Sequence, residues 1–240
     1  MEELVPSPMR VHVQGRELDL AYTNEIRPTV FSLFLANTMV VSGSEQLACD
    51  LGTGGGIQAI ALALLGVEKV VAVDLSAAAC EVAAENVRRN GVENQVEVVH
   101  GDIAAVDLRR DFDLVVSNPP TMPGRPGTPT FAAAGGDLEH REFLRIVAEG
   151  LPTWIRRDGQ AQVALSSLVS TMVLADFKRF GLRGVPRATL VAPFRDFYED
   201  AYDSAERDGF VAAGQALVGQ GGTTTGLSEF ITVYDVARER

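Results

Sequence analysis

The stretch Ser117 to Pro120 is where this chain most clearly carries chemistry. Asn118 follows an apolar run typical of a buried strand, and Pro119 and Pro120 come directly after it. Because proline restricts the residue before it, we expect Asn118 to be extended, with its side-chain carbonyl and the Pro119 backbone carbonyl facing one point. Two acceptors converging on one NH2 group suit methyl transfer to a planar nitrogen, although a simple turn explains the same motif. Asn118, Pro119 and Pro120 are therefore candidate catalytic residues.

A second motif upstream combines a strand, a glycine-rich turn and the start of a helix, which brings backbone close to a nucleotide-like ligand. The turn holds Gly52, Thr53 and Gly54, but Ile57 stands where a dinucleotide fingerprint needs its third glycine, and no Gly-Lys-Ser/Thr follows for a phosphate loop. Asp50 ends the strand beside the turn, where its carboxylate would repel a pyrophosphate. The motif therefore favours a ligand with a cationic sulfonium and an amino group.

Two further acids follow predicted strands in the same way. Asp74 ends the strand 69–73, in the place of the acid that takes ribose hydroxyls in such folds. Asp102 follows the strand 95–99, where its carboxylate can accept from an adenine amino group beside the apolar side chain of Ile103. Each acid alone is also typical of a solvated turn, but their order after successive strands favours one shared site.

Apolar runs alternate with helical patterns along the chain, which predicts an α/β fold with a doubly wound, mostly parallel sheet of seven strands. We expect a strand-and-helix extension over residues 1–44 that covers the cofactor site, and the main domain over 45–240. Strands are predicted near 11–13, 46–51, 69–73, 95–99, 113–117, 160–165, 186–192 and 228–235. Helices are predicted near 26–40, 57–65, 76–90, 137–150, 168–180 and 194–212.

The composition narrows the class of partner. A formal net charge of −11 argues against nucleic acid, because phosphate neutralisation needs clustered Lys and Arg. Cys49 and Cys80 make no disulfide framework, and we expect both to be reduced core residues. His12, His100 and His140 lack zinc-like spacing, so no metal is expected. Without a signal peptide or a membrane-spanning run, a cytosolic protein with no membrane partner is expected.

Two segments are candidates for mobile elements near the site. The predicted helix 194–212 places aromatic residues on one face and acids on the other. A solvated acidic face explains this pattern, and the alternative is a lid that attracts a cationic acceptor. The long loop 121–135 is expected to face the substrate, and the glycine-rich run 219–226 is either a second mobile element or a plain connection.

Residues from about 23 to 165 resemble the class I S-adenosylmethionine-dependent methyltransferases of the Asn-Pro-Pro branch, most closely the HemK-type glutamine-amide enzymes. The resemblance rests on the glycine turn, on the Asn-Pro-Pro motif and on the segment 135–160, and residues 26–31 are similar to the segment that covers the cofactor there. It implies S-adenosylmethionine as the cofactor, with the methionine part at the glycine turn. The implied cofactor contacts are Asp50, Gly52, Thr53, Gly54, Asp74, Leu75, Asp102, Ile103 and Asn118.

We expect N-methyl transfer to a planar or amine nitrogen of a small-molecule or peptide-like metabolite. Thr121 stands where the family usually has an aromatic residue, and only about 45 residues precede the glycine turn, so we favour such an acceptor over a release factor. A protein glutamine amide is the leading alternative. A nucleobase, and a non-catalytic subunit that binds the cofactor, are further alternatives.

Overall fold

The computed structural model describes residues 8–108, 111–120, 141–193, 204–218 and 227–239, which form an α/β protein. The strands are β1 (Met9–Val13), β2 (Arg16–Leu20), β3 (Leu47–Leu51), β4 (Lys69–Asp74), β5 (Val96–His100), β6 (Phe112–Ser117), β7 (Ile155–Ser166), β8 (Leu182–Pro193), β9 (Ala216–Val218) and β10 (Leu227–Arg238). The helices are α1 (Val30–Thr38), α2 (Ile57–Leu64), α3 (Ala77–Arg89), α4 (Arg141–Trp154), α5 (Ser167–Arg179) and α6 (Ser204–Ala212).

Seven strands form one sheet in the order β5-β4-β3-β6-β7-β10-β8, and the short β9 pairs with the beginning of β10. The first five strands of this order are parallel, whereas β10 is antiparallel to both β7 and β8. From β3 the chain adds β4 and β5 on one side of the sheet, and it then continues with β6 and β7 on the other side of β3. The strand order therefore reverses between β3 and β6. The predicted doubly wound, mostly parallel sheet of seven strands is confirmed, and β9 is an unpredicted addition.

Side chains on the central strands divide the interior into two hydrophobic cores, one on each face of the sheet. Ala48 and Val116 contribute to the core formed with α1, α2 and the β1–β2 hairpin. Cys49 and Val115 contribute to the other core, formed with α4 and α5. Both faces of β6 are buried, which explains its nearly continuous apolar sequence. Cys49 and Cys80 are buried, and neither forms a disulfide bond within the described residues, as predicted.

The amino-terminal segment forms a β-hairpin, of which the sequence predicts only the first strand. β1 and β2 are antiparallel around Gln14 and Gly15, which have φ values of 48° and 78°. A two-residue turn with two positive φ values matches the twist of the paired strands. Glutamine is an uncommon residue in such a turn, so the sequence gives a weak signal for it.

The helix α1 begins later than predicted because a capping box defines its first turn. Thr29 Oγ1 accepts from the Ser32 N–H at 3.2 Å, and Ser32 Oγ accepts from the Thr29 N–H at 2.7 Å. This reciprocal pair satisfies donors that the helix start would otherwise leave unpaired. The predicted start at residue 26 is therefore wrong, and the helix begins at Val30.

The other differences lie at the ends of elements. β7 and β8 begin before the predicted residues 160 and 186, and β8 pairs with β10 along its whole length. α4 ends at Trp154, later than the predicted residue 150, and the predicted residues 137–140 lie outside the described residues. The loop 121–135, the run 219–226 and residues 194–203 of the predicted lid lie outside the described residues. None of the helices in the described ranges has the length and hydropathy needed to cross a membrane.

Candidate active site

Four motifs meet at the carboxyl edge of the parallel strands. Along this edge the strand order is β5, β4, β3 and β6, so the residues after them lie in the order Asp102, Asp74, the glycine turn and Asn118. Adjacent strands are about 4.8 Å apart, which brings the four motifs within reach of one extended ligand. Open α/β sheets bind their ligands at such an edge, where the strand order reverses.

The turn after β3 is built from glycines with left-handed backbone. Gly52, Gly54 and Gly56 have φ values of 71°, 54° and 84°, which residues with a Cβ rarely adopt. Two of these glycines also meet close neighbours. A Cβ on Gly52 would lie 3.3 Å from the ring of Phe143, and a Cβ on Gly56 would lie 3.3 Å from the Cβ of Ala83. The glycines therefore allow both the fold of the turn and its packing against α3 and α4.

Asp50 lies beneath this turn and supports it. Its side chain is only 1% exposed, and Oδ2 accepts from the Thr53 hydroxyl at 2.7 Å and from the Ala59 N–H at 3.2 Å. The pKa of Asp50 is raised to about 7, because the effect of burial, with a smaller contribution from the charge of Asp74, outweighs the lowering effect of these two hydrogen bonds. The carboxyl group thus links the turn to the first residues of α2.

Asp74 holds the outer part of the turn through both carboxylate oxygens. Oδ2 accepts from the Gly54 N–H at 2.8 Å, and Oδ1 accepts from the Ser76 N–H at 2.9 Å. Each oxygen has more than one lone pair and can accept a further donor, such as a hydroxyl group. Leu75 beside it is 58% exposed, an apolar side chain presented to solvent next to a ligand-binding edge.

Asp102 and Ile103 lie at the end of β5, on the far side of Asp74 from the turn. Asp102 is exposed, and its Oδ1 accepts from the Ala104 N–H at 2.9 Å. Ile103 is buried and lines a groove of about 550 Å³ between this loop and α4, together with Arg145 and Trp154. This part of the edge therefore combines an exposed hydrogen-bond acceptor, the Asp102 carboxylate, with the apolar side chain of Ile103.

Asn118 lies one residue beyond β6, beside the glycine turn. The buried Ser117 donates its hydroxyl to the Leu51 carbonyl at 2.9 Å, which joins the end of β6 to the end of β3. The side-chain Oδ1 of Asn118 is buried and accepts no hydrogen bond from the residues that the structure describes. A buried carbonyl oxygen without a donor costs about 1–3 kcal/mol. This atom is therefore a position at which a ligand donor is expected.

Three residues at the site have no role in the sequence-based predictions. Ser117 joins two strand ends, Phe143 packs on the glycine turn, and Asn86 donates to the Gly55 carbonyl at 2.8 Å. A polar side chain on the inner face of α3 indicates a buried partner, which is the signal that could have found Asn86. Ile26 also lies near the turn, with its Cγ2 3.8 Å from the position of a Cβ on Gly55.

This fold and arrangement of motifs define a class I S-adenosylmethionine-dependent methyltransferase. Residues 25–119 match the family model described as ribosomal protein L11 methyltransferase (PrmA), so this part of the chain is similar to the methyltransferase domain of that family. The matched region holds the glycine turn, Asp74, Asp102 and Asn118. The predicted enzyme class and the predicted cofactor, S-adenosylmethionine, are confirmed by these matches.

Individual relatives point to proteins that act on other proteins. A ribosomal protein L11 methyltransferase of Desulforamulus reducens is 38% identical over 117 residues, which are 49% of this chain and 37% of that protein. A "Putative protein N5-glutamine methyltransferase" of Methanocaldococcus jannaschii is 27% identical over 194 residues, 78% of this chain and 95% of that protein. This chain spans well under two thirds of the length of the first L11 methyltransferases that it matches.

The structural comparison supports the fold. The crystal structure of ribosomal protein L11 methylase from Lactobacillus delbrueckii subsp. bulgaricus superimposes with a TM-score of 0.53 at 18% identity. The superposition covers 88% of this chain and 77% of that chain. At this level of identity the likeness concerns the arrangement of strands and helices alone.

Proposed function

We propose that this chain transfers a methyl group from S-adenosylmethionine to a side-chain nitrogen of a protein or peptide, with a glutamine amide as the preferred acceptor. The cofactor would lie along the sheet edge, with its adenine, ribose and methionine parts in that order from the end of β5 towards the end of β3. Its adenine would contact Asp102 and Ile103, and its ribose would contact Asp74 and Leu75. Its methionine part would lie over the glycine turn, which places the reacting methyl group beside Asn118.

Two features of the described residues fit this cofactor. A Cβ on Gly54 would meet no described atom within 4 Å, so the outer side of the turn has room for a ligand. Asp74 presents two carboxylate oxygens with spare lone pairs, which suits a pair of ribose hydroxyls. Asp50 is buried below the turn, so in this proposal it acts by holding Thr53 and the turn in place.

The observation that carries the proposal is the Oδ1 of Asn118, which is buried and has no donor among the residues that the structure describes. S-adenosylmethionine, when bound, would supply an electrophilic methyl group, and S-adenosylhomocysteine would leave as the methyl–sulfur bond is exchanged for the new methyl–nitrogen bond. Asn118 Oδ1 and the Pro119 backbone carbonyl would accept hydrogen bonds from the acceptor NH2, which hold the nitrogen and draw its lone pair out of conjugation. The methylated nitrogen releases one proton to water, so no general base is assigned. Orientation of this kind lowers the activation free energy of methyl transfer by several kcal/mol. The upper limit for ideally oriented reactants is about 7–11 kcal/mol.

The comparisons move our preference from a small-molecule acceptor to a protein amide. The N5-glutamine relative aligns along 78% of this chain and 95% of its own length, so it resembles the chain beyond the cofactor-binding half. The relatives reported above are named for protein substrates. Residues 194–203 of the predicted acidic lid lie outside the described residues. The expected positive charge of the acceptor therefore stays a prediction, as does the cytosolic location.

A second candidate is methyl transfer to a nitrogen of a ribosomal protein. The family model that matches residues 25–119 favours it, because that model is described by its ribosomal substrate. An amine and an amide acceptor require different chemistry of the substrate nitrogen. An amine already has a free lone pair, whereas an amide needs the hydrogen bonds that we assign to Asn118.

The test uses the full chain, S-adenosylmethionine with an isotopically labelled methyl group, and an extract of the source organism from which the gene has been deleted. We expect the label in the protein fraction, and acid hydrolysis should release it as methylamine, the product of a methylated amide. A labelled amino acid that survives hydrolysis would favour the second candidate. Label in the low-molecular-weight filtrate, or in nuclease-sensitive material, would contradict a protein acceptor. The Asn118→Ala variant is the matched control.

A further inference from the structure

Two side-chain amides, four residues apart at the end of α3, bind the outer edge of β2 and its extension. Asn86 accepts from the Ala21 N–H at 2.6 Å and donates to the Ala21 carbonyl at 3.0 Å. Asn90 makes the same pair of bonds with Asp19, at 3.0 and 2.9 Å. Residues four apart on a helix are about 5–6 Å apart, and residues two apart on a strand are about 6.6 Å apart. The two spacings match, so the amides take the place of a neighbouring strand.

The two amides differ in the partner of their second N–H. Asn90 donates to the carbonyl of Asn86, within its own helix, at 2.8 Å. Asn86 donates instead to the carbonyl of Gly55 in the glycine turn, also at 2.8 Å. Asn86 is 1% exposed, so all three of its hydrogen bonds are shielded from water. Within the described residues, one side chain thus bonds both the hairpin and the turn.

We propose that Asn86 is a positioning residue that couples the amino-terminal hairpin to cofactor binding at the glycine turn. The inference rests on the proposed place of the cofactor. The peptide unit between Gly55 and Gly56 is held at both ends, because its carbonyl accepts from Asn86 and its N–H donates to the Thr53 carbonyl at 2.9 Å. The orientation of this peptide determines the path of the turn on either side of it.

Loss of the Asn86 amide therefore affects cofactor binding through two routes. The Gly55 carbonyl loses its donor, so the turn also populates orientations that do not bind the cofactor. The apparent affinity for the cofactor then falls. The segment after β2 also loses its attachment, and that segment leads to Ile26, whose side chain lies beside the turn. Loss of Asn90 removes the two backbone hydrogen bonds at Asp19, whose carboxylate still binds Arg89 at 2.8 Å. It leaves the bond to Gly55 in place.

The experiment compares Asn86→Ala with Asn90→Ala in the full chain, by calorimetric titration with S-adenosylhomocysteine. Both variants remove two hydrogen bonds to the hairpin, so both should have a lower melting temperature. We expect Asn86→Ala to raise the Kd for S-adenosylhomocysteine roughly tenfold, the effect of one lost buried hydrogen bond. Asn90→Ala should change this Kd by less than about twofold. Equal effects of the two variants, or no effect of Asn86→Ala, would overturn the proposal.

A wild-type measurement covers the case in which Asn86→Ala does not fold. Coupling between two sites is reciprocal, so S-adenosylhomocysteine should slow hydrogen exchange at the Ala21 amide, which donates to Asn86. Unchanged exchange at Ala21 in the presence of saturating ligand would contradict the coupling. If the wild-type chain binds no S-adenosylhomocysteine, the proposed cofactor site itself is wrong, and this outcome is distinct from failure of the coupling.

Discussion

The hydroxyl of Ser117 donates to the backbone carbonyl of Leu51 at 2.9 Å, across the two strands that end at the candidate active site. Leu51 precedes the glycine turn, and Ser117 precedes Asn118. The same two residues are partners in the sheet, so this bond adds to the backbone pairing that aligns the turn with the residue proposed to hold the acceptor. Both residues are fully buried. Water therefore does not compete for this hydrogen bond. The bond helps to align the end of β6 with the end of β3.

Replacement of Ser117 by Ala should lower kcat more than it changes cofactor affinity. Without the hydroxyl, the end of β6 moves relative to β3, and a small misplacement of Asn118 lowers turnover by roughly ten- to a hundredfold. Steady-state kinetics on the methyl acceptor and titration with S-adenosylhomocysteine measure the two effects separately. Equal losses in kcat and in S-adenosylhomocysteine affinity would indicate a general loss of structure instead.

Replacement of Asn118 by Ala should lower turnover by roughly 10²–10³, the scale for loss of a preorganised polar contact in an active site. The Kd for S-adenosylhomocysteine should barely move, because the glycine turn and Asp74 are untouched. Single-turnover kinetics would check the chemical step directly. If the variant keeps nearly full activity on the true substrate, the acceptor is not a nitrogen held by this motif.

The meeting of the four motifs at one edge of the sheet was predictable because each motif marks the end of a parallel strand. Asp74, Asp102 and Asn118 all follow apolar runs, and parallel strands present their carboxyl ends to one edge. The order of these residues along the edge follows from the strand order. No side-chain geometry was needed to bring them together.

Contacts between side chains and distant backbone could not be predicted in the same way. Asn86 binds Ala21, 65 residues away, and Ser117 binds Leu51, 66 residues away. In both cases the partner is a backbone carbonyl group. Every residue has one, so the sequence does not indicate which residue will be the partner. The role of Asp50 was similarly hidden, because a carboxylate after a strand can face the ligand or lie under the turn, and packing decides between the two.

Replacement of Asp74 by Ala should weaken S-adenosylhomocysteine binding by about 1–3 kcal/mol, the usual cost of a lost hydrogen bond to a charged group. The Asp74→Asn variant keeps one acceptor oxygen and should lose less. Calorimetric titration would rank the three proteins, and NADH should show no binding to any of them. Tight NADH binding, or a wild-type Kd in the Asp74→Ala variant, would contradict the assigned ribose contact.

The pH dependence of stability should report the burial of Asp50. Burial raises its pKa from 3.8 to about 7. Between these values the folded protein keeps a proton that the unfolded chain has lost, so the protonated carboxyl stabilises the fold below about pH 4, and this stabilisation is lost as the pH rises through about 7. The difference corresponds to roughly 4 kcal/mol, at about 1.4 kcal/mol for each pH unit.

The Asp50→Asn variant isolates this contribution, because its amide oxygen can still accept from Thr53 and Ala59 but does not titrate. Urea unfolding of both proteins from about pH 4 to pH 8 should show the variant gaining stability relative to the wild type as the pH rises. Asp102→Asn, at an exposed carboxylate of the same edge, is the matched control and should show no comparable gain. Parallel curves for the wild type and Asp50→Asn would mean that Asp50 is ionised in the folded protein across this range. Its hydrogen bonds to the Thr53 hydroxyl and the Ala59 amide would then be charged ones, and stronger for that reason.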